Sequence, residues 1–331
     1  MGKKKNAVQL IVVGEFFPAS TSHEKKKIEK FWWKCTEQNM NKGKYVSVDM
    51  QFFSRAWKEM EFHCVKLEEV CRQKDAEFLG ILNDIKYGRN LQNVIAYLES
   101  NQSSDLMEEA PYLVGTNSKA DKINQAHMRD LDEKTEKKFC AIIEGDVTYE
   151  DIKNISFAKQ SLVVNIGAKV MLTANDTNGE YVNGTMGTII DISKERGDAT
   201  CIQVLTDKGK KVDVYRYERE IERQDIEERE EKDENGKTVI AKKIVRKIVG
   251  SFKQFPIKIA WAISIHKSQG QTFGQVNIDP RCWDSGQFYV AVSRAESIAG
   301  IHFLAPIMKQ YIRTLSDKVI KILENSLKVI E

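Results

Sequence analysis

A chain of 331 residues is long enough to bury two domain-sized cores, and a balance of 41% hydrophobic to 30% charged residues excludes a disordered polymer. The formal charge of +3 is too small to mark a nucleic-acid binder by overall basicity, so any such contact must come from locally placed cations and donors. The six cysteines (Cys35, Cys64, Cys71, Cys140, Cys201, Cys282) form no CxxC pair and have no histidine at zinc-ligand spacing. That pattern argues for reduced thiols in a cytoplasmic protein and against a metal site.

Met1-Gly-Lys-Lys-Lys followed by Ala7–Val13 imitates a signal peptide, but the apolar run is short, contains Gln9 and leads into Glu15. Val8–Val13 reads instead as a strand buried on both faces of a parallel sheet. No apolar run approaches a membrane-spanning length, so a soluble protein without membrane contact is expected. A lysine-rich helix carrying Phe31, Trp32 and Trp33 is predicted over 22–36, and a shorter one over 52–60. A strand follows at 62–67, then a helix over 75–87 with Asp75 as N-cap. Pro111–Gly115 reads as another buried strand and Lys119–Leu131 as an amphipathic helix. This alternation predicts an α/β domain with an open, mostly parallel sheet.

From Asn165 to Glu222 the segments become short and β-branched, with turns expected at Asn178-Gly179, Asn183-Gly184 and Lys208-Gly209. A small antiparallel barrel inserted into the α/β domain fits that pattern. Asp225–Val249 has an acidic first arm and a basic second arm around Asn235-Gly236. A two-residue hairpin there sets Glu234 opposite Lys237, Glu228 opposite Lys243 and Asp225 opposite Arg246, each pair contributing roughly 0.2–1 kcal/mol. Apolar pairs at 240/241, 244/245 and 248/249 also fit a helix face, so both conformations stay open. Ile257–Ile265 returns to the buried-strand pattern and Phe288–Ser293 begins another element. The tail, 307–331, is predicted as a helix with Ile312, Leu315, Val319, Leu323, Leu327 and Ile330 on one stripe.

The chemistry concentrates in Trp261–Thr272 (WAISIHKSQGQT), where an apolar strand runs into His, Lys, Ser, Gln and Gly. In open α/β sheets ligands bind at the carboxyl ends of strands. Ser268 and backbone amides can donate to phosphate oxygens, Lys267 adds charge, and Gly270 allows close backbone approach. Polar loops after strands are nevertheless common. Gln287–Ala295 (QFYVAVSRA) follows about twenty residues later; an isolated Ser-Arg-Ala is ordinarily a surface arginine.

These strings, in this order, resemble motifs V and VI of superfamily 1 DNA helicases of the PIF/RecD-like type. Leu67–Asp75 (LEEVCRQKD) resembles motif IV, with Cys71 where an aromatic residue is usual. Thr116-Asn117, with Lys119 and Asn124, resembles a single-strand contact that holds the backbone without reading sequence, although helix capping by Thr116 or Asn117 is the alternative. Ile166–Leu172 (IGAKVML) and Val182–Gly187 (VNGTMG) resemble the start of the small barrel of these enzymes.

The resemblance implies a RecA-like parallel sheet with an inserted Src-homology-3-like antiparallel β-barrel and a β-hairpin. The implied arrangement is a remnant of a first motor domain at 1–58 and a second RecA-like domain at 59–164 and 255–306. The barrel with its hairpin takes 165–254, and the C-terminal helix 307–331. It implies Arg72 and Arg294 as arginines that reach the ATP γ-phosphate, with Gln73, Gly270 and Gln271 also on the nucleotide. Thr116, Asn117, Lys119, Asn124, His266, Lys267, Ser268 and Gln269 would meet single-stranded DNA.

What is missing is as informative. No GxxxxGK[ST] string occurs; Gly236-Lys237-Thr238 has Glu231 in place of the upstream glycine and sits at the hairpin tip. No apolar strand ends in an Asp-Glu pair suited to magnesium. Gln9–Ser20 (QLIVVGEFFPAS) resembles motif III without its nucleotide-sensing glutamine. ATP and Mg²⁺ are therefore expected only with a complementary P-loop half encoded elsewhere, and these residues alone are expected to be inactive as an ATPase. The competing expectation is a non-catalytic helicase remnant that binds single-stranded DNA or a partner protein.

Overall fold

The computed structural model of the chain describes residues 72–152, 159–194, 200–232 and 238–314. The elements expected before residue 72, the motif III-like Gln9–Ser20, the hairpin tip at 233–237 and the tail beyond 314 lie outside these residues. In chain order the described elements begin with α1 (Ala76–Tyr87), α2 (Leu91–Asn101), β1 (Tyr112–Val114) and α3 (Asn117–Arg129). There follow β2 (Lys137–Cys140), β3 (Ile142–Gly145), a helical turn at Tyr149–Ile152, β4 (Ser161–Val164), β5 (Lys169–Leu172) and β6 (Met186–Lys194). Next are β7 (Thr200–Thr206), β8 (Lys211–Val214), β9 (Tyr217–Lys232), β10 (Thr238–Gln254) and β11 (Ile257–Ile259). Last come β12 (Ala262–Ser264), β13 (Val276–Ile278), α4 (Gln287–Val292) and β14 (Ile301–Phe303). They form two compact units, one from the described residues up to Ala120 and from Ile263 onward, the other Asp121–Ala262.

The first unit holds a four-stranded sheet in the order β12-β1-β13-β14. β13 runs parallel to both β1 and β14, with Tyr112 opposite Asn277 and Val276 opposite Ile301. The expected helix over 75–87 is present as α1: the Asp75 carboxylate accepts from the backbone N–H groups of Glu77 and Phe78, and Gly88 closes the other end in the left-handed region. Phe78, Ile81, Leu82 and Ile85, spaced three and four apart, form its buried face. α2 was not expected; it buries only Val94 and Leu98, one short stripe that gives a weak periodic signal. β13 and β14 were also passed over. Each is three residues long, and Asn277 breaks the apolar run of β13. That asparagine is fully buried, and its amide donates to the carbonyls of Met107 and Ala110.

The second unit contains an antiparallel five-stranded sheet, β11-β5-β6-β7-β8. Val170, Leu172, Ile189, Ile202, Val204, Val212 and Val214 alternate inward along these strands and pack with Phe255 and Trp261. The expected single strand over 257–265 is in fact two. Ile257–Ile259 pairs with β5, whereas Ala262–Ser264 joins the parallel sheet. The break has a visible cause: Asn124 takes both backbone groups of Ala262, at 2.8 Å each, and the Trp261 indole stacks on His127.

Asp225–Val249 resolves as strand, not helix: β9 and β10 form a long antiparallel ribbon. The expected register is off by one over its distal part, where Glu228 faces Lys242, Asp225 faces Val245 and the last described pair is Lys232 with Thr238. At the base, from Tyr217–Gln254 to Ile221–Gly250, the pairing follows the expected offset. A bulge between Ile248 and Gly250 accounts for the change, because one extra residue on β10 slips every later pair. β3 holds that bulge in place: it pairs with Gly250–Lys253, and Asp146 donates to the Val249 carbonyl at 2.8 Å. A side chain at Gly250 would overlap the Glu144 carbonyl oxygen. Arg223 ties the same base to Asp146 and Asp151, and its donation holds the Asp151 carboxyl well below the usual carboxylate range. Gly250→Ala should destabilise the second unit by about 1–3 kcal/mol in urea unfolding, while Gly274→Ala, where a methyl meets open space, stays within about 0.5 kcal/mol. Equal stability of the two variants would show that the close approach at Gly250 does not fix the bulge.

Candidate functional site

α4 ends at Val292, and the next three residues, Ser293, Arg294 and Ala295, are all buried. A buried helix end must find partners for its free carbonyls. Here they come partly from the helix itself and partly from distant segments. Arg294 is 1% exposed; its Nε donates to the Val290 carbonyl at 3.0 Å and its Nη2 to Ser293 Oγ at 3.0 Å. Gln73, 3% exposed, donates through Nε2 to the carbonyls of Ser293 and Ala295 at 3.0 and 2.8 Å. Arg72 donates from Nη1 to the Ser293 carbonyl and from Nε to Thr272 Oγ1, both at 2.8 Å. Phe273 pairs with Ala295 and donates to the Arg294 carbonyl at 2.9 Å. Arg72, Gln73 and Arg294 therefore converge on one short segment, and the end of the 264–272 loop is bonded to it.

That loop leaves β12 as a 3₁₀ turn, Ile265–Ser268. Ser268 is buried, and its hydroxyl donates to the Ile265 carbonyl at 2.7 Å, so in this structure it closes its own turn. Lys267, Gln269 and Gly270 are exposed. Gly270 has φ +81°, a left-handed value that favours glycine, and the space beside it is open. The backbone N–H of Gln271 donates to the Ser268 carbonyl at 3.0 Å. His266 lies mostly buried with Nε2 3.9 Å from the Asp284 carboxylate.

Two further predicted residues lie at the carboxyl end of β1, one bonded to this loop and one to the end of β13. Asn117 accepts from Ser264 Oγ at 2.8 Å, and Lys119 forms an ion pair with Asp279. Thr116 caps α3: its hydroxyl accepts from the Lys119 N–H at 3.3 Å, which is the capping alternative raised above. Asn124 falls apart from this group. Its amide is buried, with both ends occupied by the Ala262 backbone, and it acts as a clamp inside the second unit.

Several residues of the site were not singled out from sequence. Asp279, at the end of β13, is 2% exposed in its side chain and receives Arg281 Nε at 2.7 Å as well as Lys119. Burial pushes its carboxyl up, but the donors from Arg281 and Lys119 outweigh this and hold it below its ordinary value of 3.8. Gln287, fully buried, donates to the Gly115 carbonyl at 2.9 Å and accepts from the Trp283 N–H at 3.1 Å, binding the loop after β1 to the start of α4. It lies inside the QFYVAVSRA string, but its role depends on Gly115, 172 residues earlier. Among the described residues no group of His, Cys, Asp and Glu could hold a metal ion, and no helix is long and apolar enough to cross a membrane.

Comparison with known proteins places this geometry. No family model matches the chain. The ATP-dependent DNA helicase Pif1 of Bdellovibrio bacteriovorus is 31% identical over 259 residues, 77% of this chain and 53% of that protein. The Campylobacter jejuni protein of the same name is 28% identical over 298 residues, 87% of this chain and 60% of that one. Among solved structures, Bacteroides sp Pif1 in complex with ADP-AlF4 superposes with a TM-score of 0.65 at 25% identity, over 93% of this chain and 63% of that chain. This chain is a Pif1-like helicase segment. It corresponds to a C-terminal portion of Pif1 helicases and spans little more than half the length of the curated relatives it matches. The parallel sheet of the Pif1-like chain thus belongs to a mixed α/β helicase fold.

The Asp279 cluster makes a signed prediction. Because the folded-state value is depressed, its contribution is present above the unfolded value and is lost as pH falls through the folded one. The stability gap between the natural chain and Asp279→Asn should be widest near neutrality and close below about pH 4. Unfolding curves across that range that keep a constant gap would rule out the ionic contribution.

Proposed function

We propose that these residues are the second motor half of a 5′–3′ DNA helicase, holding single-stranded DNA and supplying arginines to ATP. The observation that carries the reading is the convergence of Arg72, Gln73 and Arg294 on Ser293, bonded through Phe273 to the loop that presents Lys267. Two guanidinium groups and an amide gathered at one helix end are a donor set suited to a terminal phosphate. Hydrolysis of the terminal phosphoanhydride of a nucleotide held there would supply the free energy for translocation. Arg72 and Arg294 would hold it; Gln73, Gly270 and Gln271 would line the same wall. Thr116, Asn117, Lys119, His266, Lys267 and Gln269 would meet the DNA backbone electrostatically and without reading bases, while buried Ser268 closes the turn that presents Lys267. Asn124 would support them by fixing the backbone before β12.

In this reading 59–164 and 255–306 form the RecA-like domain of a cytoplasmic enzyme. Strands β5–β8 and the ribbon β9–β10, all within 165–254, would be the Src-homology-3-like insertion, and 1–58 would derive from the first motor domain. Magnesium and the phosphate cradle come from a P-loop half, on the same polypeptide or on another, since these 331 residues contain no GxxxxGK[ST] string. A second reading, a non-catalytic module for single strands, is favoured by one observation: Arg294 is turned inward onto its own helix end.

The experiment is a salt titration of oligo-dT binding by the 331-residue chain, paired with a phosphate-release assay. Binding should weaken linearly on a log–log plot, and Lys267→Ala should reduce the slope by about one. An unchanged slope removes this loop from the DNA interface. Phosphate release with single-stranded DNA should be negligible; turnover of about 1 s⁻¹ or faster would overturn the need for a P-loop half.

A further inference from the structure

We infer that Trp283 is a stacking platform for an unpaired base, a contact that supplements the phosphate-directed groups of the proposed single-strand site and rests on that reading. Tryptophan is mostly buried in folded chains, yet the Trp283 side chain belongs to a residue 46% exposed. It is not on a loose loop. Its backbone N–H donates to Gln287 Oε1 at 3.1 Å, and its carbonyl accepts from Arg313 Nη1 at 2.7 Å. Gln287 is itself fully buried and bonded to the Gly115 carbonyl. The indole edge lies at ordinary van der Waals distance, 3.6–3.7 Å, from the position a side chain would take at Gly115. Gly115 immediately precedes Thr116-Asn117, so the ring sits beside the loop proposed to hold the DNA backbone.

The surrounding charge suits the same ligand. Arg281, two residues before Trp283, and Lys119 keep side chains 53% and 38% exposed while sharing the buried Asp279 carboxylate. One carboxylate against two cations leaves a net positive patch next to a half-exposed tryptophan. Backbone-tracking cations beside an aromatic surface are the pairing by which single strands are held without sequence preference, because every base has a π-face. An exposed tryptophan could instead anchor a protein partner; a ligand that has phosphates and sugars but no bases separates the two.

The test measures anisotropy of two labelled oligonucleotides of equal phosphate count, oligo-dT and a fully abasic strand, against the 331-residue chain, Trp283→Ala and Trp283→Phe. Trp283→Ala should weaken oligo-dT binding by about 5- to 150-fold, the equivalent of one stacked base. It should leave the abasic strand's affinity unchanged, and Trp283→Phe should retain most of the oligo-dT affinity. Unchanged oligo-dT binding by Trp283→Ala overturns the inference, as does an equal loss on both strands, which would mean the loop rather than the ring was damaged. If the natural chain binds both strands equally well, the single-strand reading stands and stacking fails. If it binds neither, the single-strand reading itself fails and this contact with it.

Discussion

The constraint on which the candidate site depends is the burial of a helix end. α4 is only six residues long, and its last carbonyls, with those of Ser293–Ala295, lie out of reach of water. Leaving one buried carbonyl without a donor costs about 1–3 kcal/mol. Three segments far apart in sequence meet there for that reason. The helix supplies Ser293 and Arg294 side chains to the Val290 carbonyl; Gln73 serves Ser293 and Ala295; Arg72 serves Ser293; Phe273 serves Arg294. The functional groups are gathered by a polar debt of the backbone.

A second constraint acts at the carboxyl ends of the parallel strands. β1, β12 and β13 all end in polar residues: Gly115–Asn117, Ser264 and Asp279. Their crossings are fixed by side chains bonded across the sheet end, Ser264 to Asn117, Lys119 to Asp279, and Gln287 to Gly115. A carboxylate as buried as Asp279 is tolerable only when paired, and its two partners are the residues that give this end of the sheet its positive charge. The side chains that satisfy this carboxylate are also the ones that leave positive charge exposed at the sheet end. For that reason the capping role of Thr116 and a role toward DNA are not exclusive: the hydroxyl accepts from the Lys119 N–H, and its own hydrogen remains to be donated.

Much of this was legible in sequence where local rules decide the outcome. Asp75 announces α1 because an N-cap acts within three residues, and Gly179 and Gly209 take the positive φ expected of their turns. HKSQG and VSRA mark both halves of the site as strings. What stayed hidden depends on pairs distant in sequence. Three-residue strands such as β13 and β14 carry no measurable period, and Asn277 masks the first with a polar residue whose partners lie in the segment before β1. The ribbon register failed for a comparable reason. Opposite charges can be matched at more than one offset, and the bulge that chooses between them is held by β3, a strand about a hundred residues earlier. Ile257–Ile265 reads as one strand because its apolar run is unbroken, while the interruption is imposed by Asn124 and His127 from α3.

The inward turn of Arg294 bears on how such a site could work. Its Nε bond to the Val290 carbonyl lies along the helix axis, where a cation is favoured by the C-terminal end of the peptide dipoles. Its Nη2 bond is to a hydroxyl, Ser293 Oγ, which has a second partner of its own in the Val290 carbonyl at 3.1 Å. Exchanging that hydroxyl for a phosphate oxygen would replace a bond to a neutral acceptor with a charge-assisted one, roughly twice as strong, without disturbing Nε. The hydroxyl left behind would keep the Val290 carbonyl. One donor of the guanidinium is therefore tied to the helix backbone and another to a neighbouring hydroxyl.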